Sequence, residues 1–445
     1  MDADAIVVGA GFAGLACARA LRAAGRSVIV LEARERVGGR SAPATLAGRT
    51  VDVGGQWVGT GHTRLCALLD EHGLRRRPQY DDGANILRHG GRNRRFSGDI
   101  PRVHPWALLE LELALRDLAR RQADLPPDAP WHHPRARQLD AVTLETWARR
   151  RLRSGSARAM FDAAVRAVFS AEPGDISLLY FLFYCRSNDG FETLIGTAGG
   201  AQAEVVEGGM HALASALAEG VDIRLGEPVR TVRQMSDRVS VATGAGTHEA
   251  SRLVLTVPPA LQADITFEPD LPVARDRLGR RMPMGSVIKC LVAYERPFWR
   301  EAGLSGMALS HEQPFSPVFD ASPADGSQGA LVGFFDGAPA VDWSPAEPAA
   351  RRAAVLDSLA AYFGDAARAP VDYVENDWLA EPWSRGCYVG LMPPRVLTEV
   401  GTALRAPIGR LHFAGTETAT EYCGYIEGAI RSGERAAAEV LDGSD

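Results

Sequence analysis

The apolar run Ala5-Ile6-Val7-Val8 is short and rich in β-branched residues, the pattern of a strand buried on both faces. Gly9-Ala10-Gly11-Phe12-Ala13-Gly14 follows, and then an Ala/Leu/Arg segment that predicts a helix to about Ala24. A second strand is predicted over Ser27-Val28-Ile29-Val30-Leu31 and ends on Glu32. Much further along, Ser286-Val287-Ile288-Lys289-Cys290-Leu291-Val292 reads as an apolar strand interrupted by one lysine. Residues 78–203 change texture, with an amphipathic run from Trp106 to Arg121. The Pro/His-rich stretch from Leu125 to Pro134 is expected to be a surface connection or a gate over a substrate entrance.

The N-terminal order of strand, glycine turn, helix, strand and acid has a chemical logic. Gly9 makes the tight turn, Gly11 lets backbone approach a pyrophosphate, and Gly14 lets helix and strand pack closely. The first helical turn presents free N–H groups to phosphates. Glu32, 23 residues past Gly9, can accept from both ribose hydroxyls, which favours an adenosine without a 2′-phosphate. A glycine-rich turn with no ligand would not need the strands and the acid in this order. The motif alone does not choose among dinucleotides. Its continuation does: Arg34 to Arg40 carries Gly38-Gly39, and Asp52 to Gly59 carries Gly54-Gly55. Two further glycine pairs suit a long, fully enclosed dinucleotide gripped again downstream.

Composition narrows the classes. A chain of 445 residues suggests about two to four domains, and 46% hydrophobic with 23% charged residues is ordinary for a soluble protein. A net charge of −6 argues against nucleic-acid binding. The arginine triplets at 75–77 and 149–151 read as solvated faces. Six cysteines, at 17, 66, 185, 290, 387 and 423, show no CxxC pairing, which disfavours zinc and a disulfide framework. No secretory signal or run of about 20 apolar residues is present, so a cytoplasmic protein without a membrane anchor is expected.

Several later segments complete a pattern. They include Gly199-Gly200-Ala201-Gln202 with Gly208-Gly209-Met210, and Val257-Pro258-Pro259. They also include Met284 to Cys290 with Pro297-Phe298-Trp299-Arg300, and Trp383-Ser384-Arg385-Gly386-Cys387-Tyr388. The last are Phe413 to Thr420 and Gly424-Tyr425-Ile426-Glu427-Gly428-Ala429. Together with the N-terminal glycine segments, these resemble, in order from about residue 4 to 440, the flavin monoamine oxidase family. The resemblance implies an α/β fold in which a Rossmann-like, glutathione-reductase-like FAD domain is interleaved with an α+β substrate domain. The FAD domain would take residues 1–77, 204–278 and 381–445, and the substrate domain 78–203 and 279–380.

The family likeness also implies roles. Lys289 would hold a water at flavin N5, against the plain alternative of an edge-strand lysine in solvent. Tyr388 and Tyr425 would sandwich the substrate nitrogen, since electron-rich ring faces exclude water and also hold a cation. Cys387 stands where some members bond the flavin 8α-methyl through a thioether, and the alternative is a buried free thiol. Gly9, Gly11, Gly14, Glu32, Arg34, Gly39 and Arg40 would meet the nucleotide and diphosphate. Gly55, Gln56 and Trp57 would approach the flavin, Val229 the adenine, and Trp378 and Ile426 the ring. Thr416 and Glu417 would meet the diphosphate and ribityl chain. Gln202 and Phe334 would line the substrate cavity, and Glu204 replaces a basic residue of many relatives.

The implied reaction is oxidative deamination of a primary or secondary amine, giving an imine and then an aldehyde, with O2 reduced to H2O2. Amine and O2 would be the small-molecule partners and a homodimer the assembly. An L-amino acid oxidase needs a cation for the carboxylate, and Gly54 to Gly59 offers no arginine. A polyamine oxidase or a biosynthetic desaturase stays open. A non-catalytic flavoprotein would not need Lys289, Tyr388 and Tyr425 together.

Overall fold

Ala3–Val8 is almost wholly buried because two parallel neighbours cover its edges, Val28–Leu31 on one side and Thr247–Leu255 on the other. The computed structural model of the chain describes residues 1–98, 101 and 104–443. Helix Phe12–Ala23 connects the first two strands and turns Leu15, Cys17, Ala18 and Leu21 into the core. Asp222–Arg224 extends the sheet beyond Val28–Leu31, and Leu411–Phe413 pairs in parallel with Leu253 to Leu255. An antiparallel meander, Thr231–Gln234, Val239–Ala242 and Thr247–Leu255, continues it to Thr266–Glu268. All eight strands come from residues 3–31, 222–268 and 411–413.

The parallel strands end together, so Gly9, Glu32, Thr256 and Gly415 sit side by side past their carboxyl ends. In an open α/β sheet that edge is where a ligand crevice forms. Two close approaches shape it. Gly9 has φ +104°, which an L side chain rarely adopts, and a Cβ on Gly14 would stand 1.9 Å from the Gly9 carbonyl oxygen.

A second, seven-stranded sheet runs Asp372–Asp377, Val287–Tyr294, Gly329–Asp336, Val318–Asp320, Leu304–Ser310, Ala84–His89, Arg92–Phe96. Val287–Tyr294 and Gly329–Asp336 are buried at every position, which near-continuous apolar sequence permits. Lys289 therefore lies on an interior strand, opposite Phe334 on one neighbour and Asn376 on the other. Helices between residues 105 and 195 build a separate apolar core around Phe161, Phe169, Phe181 and Tyr184. The stretch Leu125 to Pro134 holds a single 3-10 turn, Pro130–His132.

Candidate active site

One cavity of about 590 Å³ runs from Glu32 and Val229 to Tyr388 and Tyr425. At its first end the Glu32 carboxylate is held by two backbone amides, Ala10 N–H at 2.7 Å and Arg34 N–H at 2.9 Å. Gly11, Phe12 and Ala13 bring the start of a 12-residue helix into the wall, without a side-chain cap or an acid in its first turn. Those N–H groups are free for an anion. Arg34 donates to Glu381 and, at 2.7 Å, to Ser384, while its buried Nε has no partner. Acid, bare helix start, open glycine backbone and an unpartnered guanidinium nitrogen fit the adenosine and diphosphate of a dinucleotide.

The opposite end is aromatic. Trp57 packs on Phe319 at 5.3 Å and Phe334 at 5.9 Å, and Phe334 meets Tyr388 edge-on at 6.2 Å and 85°. Tyr425 contacts His62 at 5.3 Å. Arg40 fixes this end: it donates to Glu417 at 2.6 and 3.0 Å and to the Tyr388 carbonyl at 2.8 Å. Burial opposes the Arg40 charge, but the Glu417 carboxylate outweighs it and holds the guanidinium pKa above its ordinary value. Burial likewise opposes the Glu417 charge, and Arg40 reverses it, keeping the acid below its usual range. The Cys387–Tyr388 peptide is cis.

Lys289 stands just behind this wall. Its Nζ donates to the Gly54 carbonyl at 2.8 Å and to Gln56 Oε1, leaving a third N–H. Burial pulls its pKa well below the ordinary lysine value, and the Asp52 carboxylate works the other way. Asp52 itself is raised by burial, although both oxygens accept from the Met210 amide at 3.0 Å. Burial also raises the phenols of Tyr388 and Tyr425, so both are neutral, and pushes the Cys387 thiol up to about 12.

Of the residues singled out in the sequence, Gly9, Gly11, Glu32, Arg34, Gly39, Arg40, Gly55, Gln56 and Trp57 reach the wall. So do Val229, Gln202, Phe334, Cys387, Tyr388, Thr416, Tyr425 and Ile426. Four of the residues expected at the cofactor are held by close neighbours of their own. Gly14 faces the strand turn, where the Gly9 carbonyl fills its open side, the close helix–strand packing its place in the glycine motif calls for. Glu417 is withdrawn behind Arg40 and reaches the cavity only through that guanidinium. The Thr416 hydroxyl donates to the Tyr425 carbonyl at 2.8 Å and accepts from Gly424 at 2.7 Å, so it braces Tyr425 from the cavity wall. Trp378 packs among Val53, Val287 and Leu291, with Nε1 donating to the Val53 carbonyl at 2.9 Å; it is Trp383 that lines the cavity.

Sequence reading also passed over the wall formed by Ala159, Met160, Ala163, Ala164 and Ala167 on helix Gly155–Phe169. Alanines three and four apart clear one helix face, a spacing visible in the chain. Glu204 pairs with Arg76 at 3.0 Å in a small three-stranded sheet and is not part of the wall. Its structural partner, not a substrate, answers its charge.

The chain matches the family described as Flavin containing amine oxidoreductase over residues 12–441. It is 36% identical to the "Probable flavin-containing monoamine oxidase A" of Dictyostelium discoideum, over 99% of this chain and 97% of that protein. Among solved structures, putrescine oxidase bound to putrescine is similar with TM-score 0.95 and 34% identity, over 99% of both chains. Cyclohexylamine oxidase from Brevibacterium oxydans is similar with TM-score 0.95 and 33% identity, again over 99% of both.

Proposed function

The chain belongs to the flavin containing amine oxidoreductases, and we propose that it is an FAD-dependent oxidase of a monoamine whose nitrogen carries an apolar body. One observation carries the substrate reading. Among the described residues, the acids of the cavity wall are Glu32, Glu227 and Asp264, all on loops of the first sheet, and none is at the aromatic end. A diamine would bring a second ammonium into a wall of Leu111, Leu115, Met160, Phe161 and Ile195 with nothing there to pair it. The test is peroxide release from a panel of amines. An arylalkyl or alicyclic monoamine should turn over with higher kcat/KM than putrescine, and the reverse order would end this reading.

FAD when bound would accept a hydride from the carbon next to nitrogen and deliver the electrons to dioxygen, giving peroxide. The protein's share is orientation and proton handling. Tyr388 and Tyr425 exclude water from the nitrogen and aim its lone pair, and Arg40 anchors the Tyr388 main chain for that task. Lys289 Nζ, its proton loosened by burial, supports proton delivery on the oxygen side, with Gly54 and Gln56 holding it in place. Cys387 is free and in the wall, which supports a thioether to the flavin 8α-methyl.

The strand origins support the division into an FAD domain of residues 1–77, 204–278 and 381–445 and a substrate domain of 78–203 and 279–380, since each of the two large sheets draws on one set. Among the described residues no helix is long and apolar enough to cross a membrane. The free cysteines support a reducing compartment, read here as the cytoplasm, and a twofold homodimer is the assembly proposed. L-Amino acid oxidation keeps one point in its favour: Arg166 is in the wall, although Glu172 holds it at 3.3 Å. An L-amino acid therefore belongs in the same panel.

A further inference from the structure

We propose that His89, His311 and Glu312 form a site for a divalent transition cation of the Zn2+ class beside the amine cavity, and that its occupation slows amine oxidation. Strand pairing brings the histidines together. Ala84–His89 and Leu304–Ser310 run parallel with Leu87 opposite Leu309 and Arg88 opposite Ser310. One more step in that register sets His89 against His311 with both side chains on one face, and the ring centroids are 5.0 Å apart. Glu312 completes the group from the adjacent position. Its two carboxylate oxygens accept the backbone amides of Gly90 and, at 3.1 Å, Gly91, on the turn that follows His89. Its position is thus set by main chain, not by a freely rotating side chain.

One ligand atom from each residue lies within 4.8 Å of the others, and all three side chains are reachable from solvent. Two imidazoles and a carboxylate leave a fourth position to water, the set that suits Zn2+ and similar ions and not Mg2+ or Ca2+, which prefer all-oxygen shells. The Arg166 guanidinium, which acts on His311, is engaged by Glu172 at 3.3 Å. The link to catalysis is positional: Leu87, Leu309, Ser310 and His311 are all in the cavity wall, while His89 is not. An ion that binds both strand ends draws His311 towards His89 and stiffens that part of the wall.

The inhibition arm rests on the amine oxidase reading; the binding arm does not. Chelator-treated holoenzyme would be titrated with ZnCl2 and with MgCl2 by calorimetry, and peroxide release followed at each Zn2+ concentration. Expected are one Zn2+ per chain, no Mg2+ heat, and a fall in kcat/KM that tracks occupancy. His89→Ala should keep the metal-free activity and lose about tenfold or more in Zn2+ affinity, with inhibition displaced to match. Glu312→Gln offers a second, nearly isosteric variant with the same expected direction. Absent saturable binding, or wild-type affinity in both variants, overturns the site. Binding with unaltered kcat/KM overturns the inhibition and leaves the ion purely structural.

Discussion

The Tyr388 hydroxyl donates to Asp336 Oδ1 at 3.4 Å, and Ser170 Oγ donates to the same oxygen at 3.0 Å. Asp336 is 2% exposed, and its Oδ2 has no partner. Burial raises its pKa well above the carboxylate range, against the two hydroxyl donors. A buried acid whose charge burial disfavours thus backs one of the two rings of the proposed amine cage. Asp336→Asn keeps an acceptor and should leave flavin reduction by amine within about threefold, whereas Asp336→Leu strands two buried donors at about 1–3 kcal/mol. Anaerobic stopped flow should show Leu about tenfold slower than Asn at equal flavin content, and equal rates would remove Asp336 from the positioning of Tyr388.

Lys289→Met should slow reoxidation of the reduced flavin by about a hundredfold, the size of a lost acid–base partner, and change reduction by amine far less. Mixing reduced enzyme with oxygenated buffer measures the first rate. A wild-type oxidation rate would free Lys289 from the catalytic account and leave it as a clamp on Gly54 and Gln56.

Acid precipitation distinguishes the two states of Cys387. Yellow colour retained in the pellet, and lost to the supernatant in Cys387→Ala, is the expected result for a thioether. Flavin in the supernatant from both proteins would keep the oxidase and remove the bond.

Removing the partner of a buried ion is costlier than removing a surface ion pair. Glu417 is 1% exposed and holds Arg40 with both oxygens. Glu417→Ala should therefore destabilise the enzyme by about 3–5 kcal/mol, and Glu417→Gln, which keeps hydrogen-bonding atoms, by less. Thermal unfolding of the flavin-loaded proteins tests the order, and equal losses would mean that the charge of Glu417 carries the whole effect and its hydrogen bonds add nothing.

His62 links stability to acid. Its Nδ1 accepts the Gly59 amide at 2.9 Å, and burial, with Arg431 adding to it, lowers the pKa to about 4. Folded His62 therefore binds fewer protons than the unfolded chain between pH 4 and 6.5. The stability it contributes is complete above about pH 6.5 and is lost as pH falls towards 4, by up to about 3 kcal/mol. Denaturant titrations across that range should show a flatter decline in His62→Gln, and parallel curves would contradict the assignment.

Much of the nucleotide end was legible because its signals are local: a β-branched strand, a glycine turn and an acid within 30 or so residues of chain. Lys289 stood out as a cation in an apolar run, yet the side of the wall it occupies depends on pairing with Phe334 and Asn376. Trp378 and Trp383 are five positions apart, and the strand Asp372–Asp377 decides which of them turns to the cavity. The Arg76–Glu204 pair depends on a register across 128 residues that no local pattern encodes. Helix Gly155–Phe169 carries no motif, only cleared space, and space has no signature of its own.

The interleaving of the two sheets has a consequence for biogenesis. Leu411–Phe413 pairs in parallel with Thr247–Leu255, and helix Ile426–Asp442 packs against Phe12–Ala23. The pairing thus joins the first and last parts of the chain, the kind of non-local contact that slows folding. During synthesis the glycine turn at Gly9 emerges early, but Thr416, Tyr425 and Ile426 close the pocket only once the C-terminal stretch has left the ribosome. The crevice is therefore complete only when the C-terminal stretch is in place, and without it apolar wall is left open, the kind of surface that invites misassembly.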